Sequence, residues 1–288
     1  MRVLLFGGGG QLGTEIRGRW SGDEIHAPAR SEAPLEDPAA LERALESVQP
    51  EIVVNAAAYN AVDEAEEHPQ RAFAVNAFAV EALARLCAER AIPFVTVSTD
   101  YVFDGESDRP YAERDAPHPI NAYGISKLAG ELLVERLSGE ALIVRTCGVY
   151  GRRPSRSKGY TFIDRVIAQA RAGETPRIVA DVIASPTYAG HLADAIRALI
   201  AAGARGVVHA ANAGAVSWHA FASEALREAG IPCVPEAIPS SSYVTRARRP
   251  RFSALASERL AGLGVTMPDW RAGIAAYLAE TARASTAT

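Results

Sequence analysis

A strand-like apolar run, Val3-Leu4-Leu5-Phe6, passes directly into Gly7-Gly8-Gly9-Gly10-Gln11-Leu12-Gly13, and a helix-forming segment follows at once. Within that turn stands the spacing Gly7-x-x-Gly10-x-x-Gly13. Glycines there let the backbone approach a pyrophosphate. The helix start offers unpaired N–H groups and partial positive charge, and the last glycine lets the helix lie close on the strand. A glycine turn with no ligand is the plain alternative. Its place at the end of the first strand favours a dinucleotide, held by Gly7, Gly10, Gln11 and Leu12.

The strand–helix alternation continues along the chain. Short apolar runs near 2–7, 24–27, 51–56, 93–98, 141–146 and 207–210 read as strands. Segments near 11–20, 37–47, 70–90, 122–138, 164–172, 189–202 and 268–284 read as helices. Val53-Val54 and Phe94-Val95-Thr96-Val97 suit strands buried on both faces. The pattern predicts an α/β fold, a Rossmann-like doubly wound parallel sheet over residues 1–150. A smaller C-terminal α/β substrate-binding region is expected over 151–288, with some segments returning to the first domain. Residues 232–250, rich in Pro and Ser, read as loop.

An NAD site usually closes its second strand with a carboxylate about 20 positions beyond the glycines, which holds the ribose 2′-hydroxyl. Here that stretch reads His26-Ala27-Pro28-Ala29-Arg30-Ser31. Arg30 can meet a 2′-phosphate through two parallel hydrogen bonds, so NADPH is favoured, with NADH as the alternative. The bland reading of Arg30 is a solvated surface arginine. After the third strand, Asn55-Ala56-Ala57-Ala58-Tyr59 puts small side chains at a carboxyl end, which adds Ala56, Ala57, Ala58 and Tyr59 to the cofactor set.

Tyr123 and Lys127 stand four apart in a helical segment, on one face and a turn apart. A free phenol has a pKa near 10, and a neighbouring ammonium is expected to bring it into working range for proton delivery to a carbonyl. Of 30 basic residues only Lys127 and Lys158 are lysines, so a Lys at this spacing is not what chance supplies. Upstream, Ser98-Thr99-Asp100-Tyr101 follows a strand at the edge where open parallel sheets bind ligands. Thr99 is the natural third catalytic member, its hydroxyl polarising the substrate carbonyl. Taken alone, such a cluster more often makes a local turn.

These residues resemble the extended short-chain dehydrogenase/reductases and, within them, the dTDP-4-dehydrorhamnose reductase family, nearly end to end. The resemblance runs through Gly10-Gln11-Leu12-Gly13, Asn55-Ala56-Ala57-Ala58 and Ala61-Val62-Asp63-x-Ala65-Glu66. It continues in Ser98-Thr99-Asp100-Tyr101-Val102-Phe103-x-Gly105, Asn121-x-Tyr123-Gly124-x-x-Lys127, Asp181, Pro186-Thr187 and Arg248-Arg249-Pro250. It implies reduction of the C4 ketone of a nucleotide-linked 4-keto-6-deoxy sugar by NADPH. Tyr123 would be the acid, Lys127 would hold the nicotinamide ribose and tune Tyr123, and Thr99, Asp100, Tyr101, Gly148 and Arg248 would line the substrate side. Related sugar-nucleotide dehydratases carry Glu where this chain has Tyr101, which disfavours dehydration.

Two departures bear on the substrate. Arg145-Thr146-Cys147-Gly148 stands where the family has Arg-Thr-Ser-Trp, so Gly148 removes an aromatic wall. Val182 and Ala184 replace a Gln and a Gly. The alternatives are a reductase or epimerase of another nucleotide sugar, or a cofactor-binding regulatory subunit like methionine adenosyltransferase β. Intact Thr99, Tyr123 and Lys127 argue against the latter.

Composition closes off other classes. With 48% hydrophobic and 22% charged residues the chain is globular in character, and a net charge of −4 gives no field toward nucleic acid or anionic lipid. Three cysteines without CxxC or Cys/His spacing give neither a disulfide framework nor a zinc site, and the histidines show no ligand spacing. No metal, nucleic acid or membrane partner is expected, and a cytoplasmic monomer or homodimer is. The basic residues Arg152, Arg153, Arg156 and Lys158, and the run Arg246 to Arg251, read equally as a diphosphate clamp or as solvated faces.

Overall fold

The computed structural model describes residues 1–137, 139–153 and 159–286. The chain opens with β1 (Arg2–Phe6), α1 (Gln11–Arg19), β2 (Glu24–His26), α2 (Pro38–Val48) and β3 (Ile52–Asn55). Along β1 the side chains alternate, Val3 and Leu5 into one core and Leu4 and Phe6 into another, so the strand is buried on both faces. The start of α2 is set locally. Asp37 accepts from the amides of Ala39 at 3.0 Å and Ala40 at 3.2 Å, and Pro38 fits the first helical position.

Next come α3 (Val62–Glu67) and α4 (Pro69–Phe73), a π turn (Ala74–Phe78), α5 (Ala79–Glu89), β4 (Phe94–Thr99), α6 (Ala122–Leu137) and β5 (Leu142–Thr146). The single helix expected over 70–90 is thus two helices with a π turn between them. The turn brings the Asn76 backbone against α6, where a Cβ added to Gly130 would lie 2.1 Å from the Asn76 carbonyl oxygen.

The remainder comprises α7 (Phe162–Arg171), β6 (Arg177–Val179), β7 (Ile183–Ala184), α8 (Ala189–Ala201) and β8 (Gly206–His209). It ends with β9 (Val216–Ser217), α9 (Trp218–Glu228), β10 (Glu236–Ile238) and α10 (Trp270–Thr286). The sequence reading lacked α9 and the short strands β6, β7, β9 and β10. Strands of two or three residues carry almost no periodicity, and β10 interrupts the expected 232–250 loop.

One six-stranded sheet, all parallel, has the order β2-β1-β3-β4-β5-β8. β8 returns from the C-terminal half to its edge, Val144 opposite Val208. One face is covered through Leu12, Ile16, Leu192 and Ile196, the other through Leu41, Val80, Leu83 and Val134. β10 pairs with β6, β7 pairs with β9, and a separate aromatic core holds Tyr150, Tyr188, Phe221, Trp270 and Tyr277. The strand order reverses between β1 and β3, the position where open sheets of this kind accept ligands. Among the described residues no helix is long and apolar enough to cross a membrane.

Candidate active site

The glycine turn lies at that reversal. Gly7 has φ +82°, and a Cβ there would meet the Ala56 carbonyl carbon and the Ala57 nitrogen, both at 2.6 Å. A Cβ on Gly13 would lie 2.2 Å from the Gly7 carbonyl oxygen. The turn, the start of α1 and the end of β3 therefore touch through backbone alone. Gly10 caps α1 without a side-chain hydrogen bond, and no acidic residue stands in the first turn. Free amides and an uncompensated helix dipole suit a pyrophosphate.

Gly7, Gly10, Gln11, Ala56 and Ala57 are brought together in this way. The Leu12 side chain is buried in the sheet core, so the residue offers only its amide. Tyr59 is held by a residue the sequence did not single out. Asn76, 1% exposed, accepts from the Tyr59 amide at 2.8 Å, and its amide group donates to the Tyr59 carbonyl at 3.0 Å and to the Ser126 hydroxyl at 3.0 Å. Ala58 is exposed beside it. Arg30 lies beyond β2 with its side chain 70% exposed, paired with Glu36 at 2.7 Å.

Thr99 ends β4, and Tyr123 and Lys127 project from α6 toward that strand end. The Tyr123 hydroxyl lies close enough to the Thr99 hydroxyl for the two to interact, and Lys127 Nζ donates to the Val97 carbonyl at 2.7 Å. The Tyr123 ring stands edge-on to Tyr101, with centroids 5.9 Å apart. Close approach of α6 depends on Gly124, where a Cβ would lie 2.1 Å from the Tyr101 carbonyl oxygen.

The expected electrostatics differ in sign at the phenol. Burial, with the nearby Asp100 charge adding to it, pushes the Tyr123 pKa up to about 12, and the neighbouring Thr99 hydroxyl opposes the change. Burial lowers that of Lys127 to about 8, and the Glu131 carboxylate opposes the change. At the phenol, desolvation is the dominant influence.

Asp100, expected on the substrate side, faces inward. It is 4% exposed, and its Oδ1 accepts from the Thr99 hydroxyl and its Oδ2 from the Cys147 thiol, each at 3.0 Å. Ser253 is a further hydrogen-bond partner. Burial pushes the Asp100 carboxyl up against these donors. Desolvation and the neighbouring Asp100 charge push the Cys147 thiol well above its ordinary value. Behind Lys127, the Arg145 guanidinium pairs with Glu131 at 2.6 Å, and Ser98 also donates to Glu131.

On the substrate side the Arg248 side chain is exposed, while its carbonyl accepts from Asn121 at 2.8 Å. Arg249 lies near Tyr101 instead and pairs with Asp63 at 2.7 Å. Much of the basic run is likewise committed. Arg152 is bidentate on buried Glu15 at 2.8 and 2.9 Å, Arg246 pairs with Glu67, and Arg251 lies 3.9 Å from Asp181. Arg156 and Lys158 lie outside the described residues. Asp181 accepts from the Ser240 amide at 2.7 Å and its hydroxyl at 2.9 Å, which ties down that loop. Gly148, at φ +49°, sits just past β5.

The profile of the RmlD substrate binding domain matches residues 1–283. A dTDP-4-dehydrorhamnose reductase of Burkholderia thailandensis is 39% identical over 94% of this chain and 96% of its own length. That of Escherichia coli K12 is 36% identical over 97% and 98%. The crystal structure of a dTDP-4-dehydrorhamnose reductase from Bacillus anthracis, in complex with NADP, superimposes with TM-score 0.92 at 31% identity. It covers 97% of this chain and 99% of that one.

Proposed function

The chain belongs to the RmlD substrate binding domain family, and from that premise we propose that it reduces the C4 ketone of a nucleotide-linked 4-keto-6-deoxy sugar with NADPH. The substrate is dTDP-4-dehydro-L-rhamnose and the product dTDP-L-rhamnose. The observation that carries this reading is the approach of the Thr99 and Tyr123 hydroxyls, with Lys127 tied to the same strand, beside an uncapped glycine turn.

NADPH, when bound, supplies the hydride for C4. Gly7, Gly10 and Gln11 would hold its pyrophosphate and Arg30 its 2′-phosphate, with Ala56 to Tyr59 completing the cofactor set. Lys127 holds the nicotinamide ribose. The Thr99 hydroxyl orients and polarises the ketone oxygen, and Tyr123 delivers the proton to that oxygen. A pKa above neutrality suits this role, because the phenol remains a protonated acid at neutral pH. Residues 1–150, extended by β8, carry the cofactor, and residues 151–288, which share an aromatic core with Tyr150, position the sugar-nucleotide side.

The test is loss of reduced-nicotinamide absorbance on adding dTDP-4-dehydro-L-rhamnose to the purified protein, with NADPH and NADH compared. No turnover with that sugar or with a panel of other 4-keto-6-deoxy sugar nucleotides would overturn the reading.

A further inference from the structure

Gly148 leaves a gap in the wall of the site, and the structure shows what enters it. β5 ends at Thr146, the register partner of Thr99, so Gly148 lies two residues beyond the strand end beside the catalytic hydroxyls. A Cβ on Gly148 would lie 3.1 Å from Trp218 Cη2, 3.4 Å from Trp218 Cζ2 and 3.4 Å from Pro186 Cα. The far edge of the Trp218 indole thus occupies the space that a side chain at 148 would take.

The rest of that indole is anchored. Trp218 is the first residue of α9, and its amide donates to the Val182 carbonyl at 3.3 Å. Its ring stands edge-on to Phe162 and Phe221, with centroids 5.0 and 5.9 Å apart. It packs both on the aromatic core of the C-terminal half and on the cluster that holds Val102, Phe103 and Cys147. Trp20 and Trp270 are 4% and 5% exposed, whereas Trp218 remains partly open. A rigid aromatic ring, held by Phe162 and Phe221 and still partly exposed, suits the apolar C–H face and methyl group of a 6-deoxy sugar.

We propose that Trp218 is a specificity-determining residue, its indole forming the wall against which the hexose ring of the sugar nucleotide packs. This rests on the sugar-nucleotide reading above. Aromatic packing of this kind favours ligands with a continuous apolar ring face, and it acts on sugar binding rather than on proton transfer.

The experiment compares wild type, Trp218→Ala and Trp218→Phe in two assays. One is steady-state turnover of dTDP-4-dehydro-L-rhamnose, and the other is quenching of tryptophan fluorescence by dTDP-L-rhamnose and by dTDP alone. Trp218→Phe keeps an aromatic ring against Phe162 and Phe221, and its melting curve shows whether the fold is intact. The expected result for Trp218→Ala is a KM raised about tenfold or more with kcat within a few fold, a change typical of lost apolar burial. Trp218→Phe falls between. Quenching by dTDP-L-rhamnose is lost in both variants, and affinity for dTDP alone is unchanged. Wild-type turnover with unchanged KM in both variants overturns the wall and leaves the reductase. Equal weakening of dTDP and dTDP-L-rhamnose also overturns it, by moving the contact to the nucleoside. Absent turnover with a quench by the sugar nucleotide that disappears in both variants overturns the reductase and keeps the wall.

Discussion

Lys127 Nζ donates to the carbonyl of Val97 at 2.7 Å, two residues before Thr99 on the same strand. The ammonium is therefore fixed to the strand that carries the Thr99 hydroxyl, in a place where burial brings its pKa to about 8. The free-enzyme profile of kcat/KM should fall as pH rises through about 8, as Lys127 loses its charge. Stability should move the other way. The unfolded chain keeps this proton to about 10.4, so between the two values it binds more protons and the folded state gains from this group. Activity lost above pH 8 while the urea midpoint holds or rises would check both signs. Lys127→Arg should lose roughly 100-fold in kcat/KM, because a planar fork does not replace a compact ammonium in so tight a site.

The Tyr123 hydroxyl lies near Thr99, and its ring stands edge-on to Tyr101. Tyr123→Phe keeps the ring and removes the proton, so kcat should drop by about 10² to 10⁴. NADPH affinity by fluorescence titration should be unchanged. A variant with near wild-type kcat would show that the proton comes from elsewhere.

The parts of this site that could be read from the sequence are those governed by local rules. The glycine turn, the four-residue step from Tyr123 to Lys127 and the strand end at Thr99 follow from spacing and from the parallel-sheet pattern. Asn76, Cys147, Ser253 and Arg249 depend on distant partners: Asn76 holds Tyr59, Cys147 reaches back to Asp100, and Arg249 pairs with Asp63. A single sequence carries no signal for such pairs. The sign of the Tyr123 shift was out of reach for the same reason, because desolvation depends on packing. Trp218 looks like an ordinary helix residue until folding brings it against Gly148.

Arg30 pairs with Glu36 at an exposed position, an interaction worth about 1 kcal/mol or less. A cofactor 2′-phosphate can take that partner's place at little cost. Arg30→Ala should raise the KM for NADPH about tenfold and leave that for NADH nearly unchanged. Equal effects on the two cofactors would show that Arg30 does not read the 2′ position.

Cys147 donates to a buried carboxylate and is 1% exposed, with its thiol held protonated. Cys233, partly exposed, should therefore react with a thiol reagent in the native protein, while Cys147 and buried Cys87 react only on unfolding. Cys147→Ala removes a donor to Asp100 and should cost about 1–3 kcal/mol. Cys147→Ser, which keeps a donor, should cost less, and denaturant melts of the two variants would check the order.

Glu131 serves two neighbours at once. It holds the Arg145 guanidinium through contacts of 3.1, 3.1 and 2.6 Å, the two side chains being 3% and 5% exposed, and its charge raises the pKa of Lys127 one turn away. Glu131→Gln leaves Arg145 buried without its counter-charge, so stability should fall by about 3–5 kcal/mol in urea unfolding. The same change removes a charge that opposes desolvation of Lys127, so the alkaline limb of kcat/KM should move to lower pH. Because these effects have separate readouts, a variant that unfolds easily but keeps its pH profile would confine Glu131 to the Arg145 pair. A shifted limb would place it in the control of the catalytic ammonium.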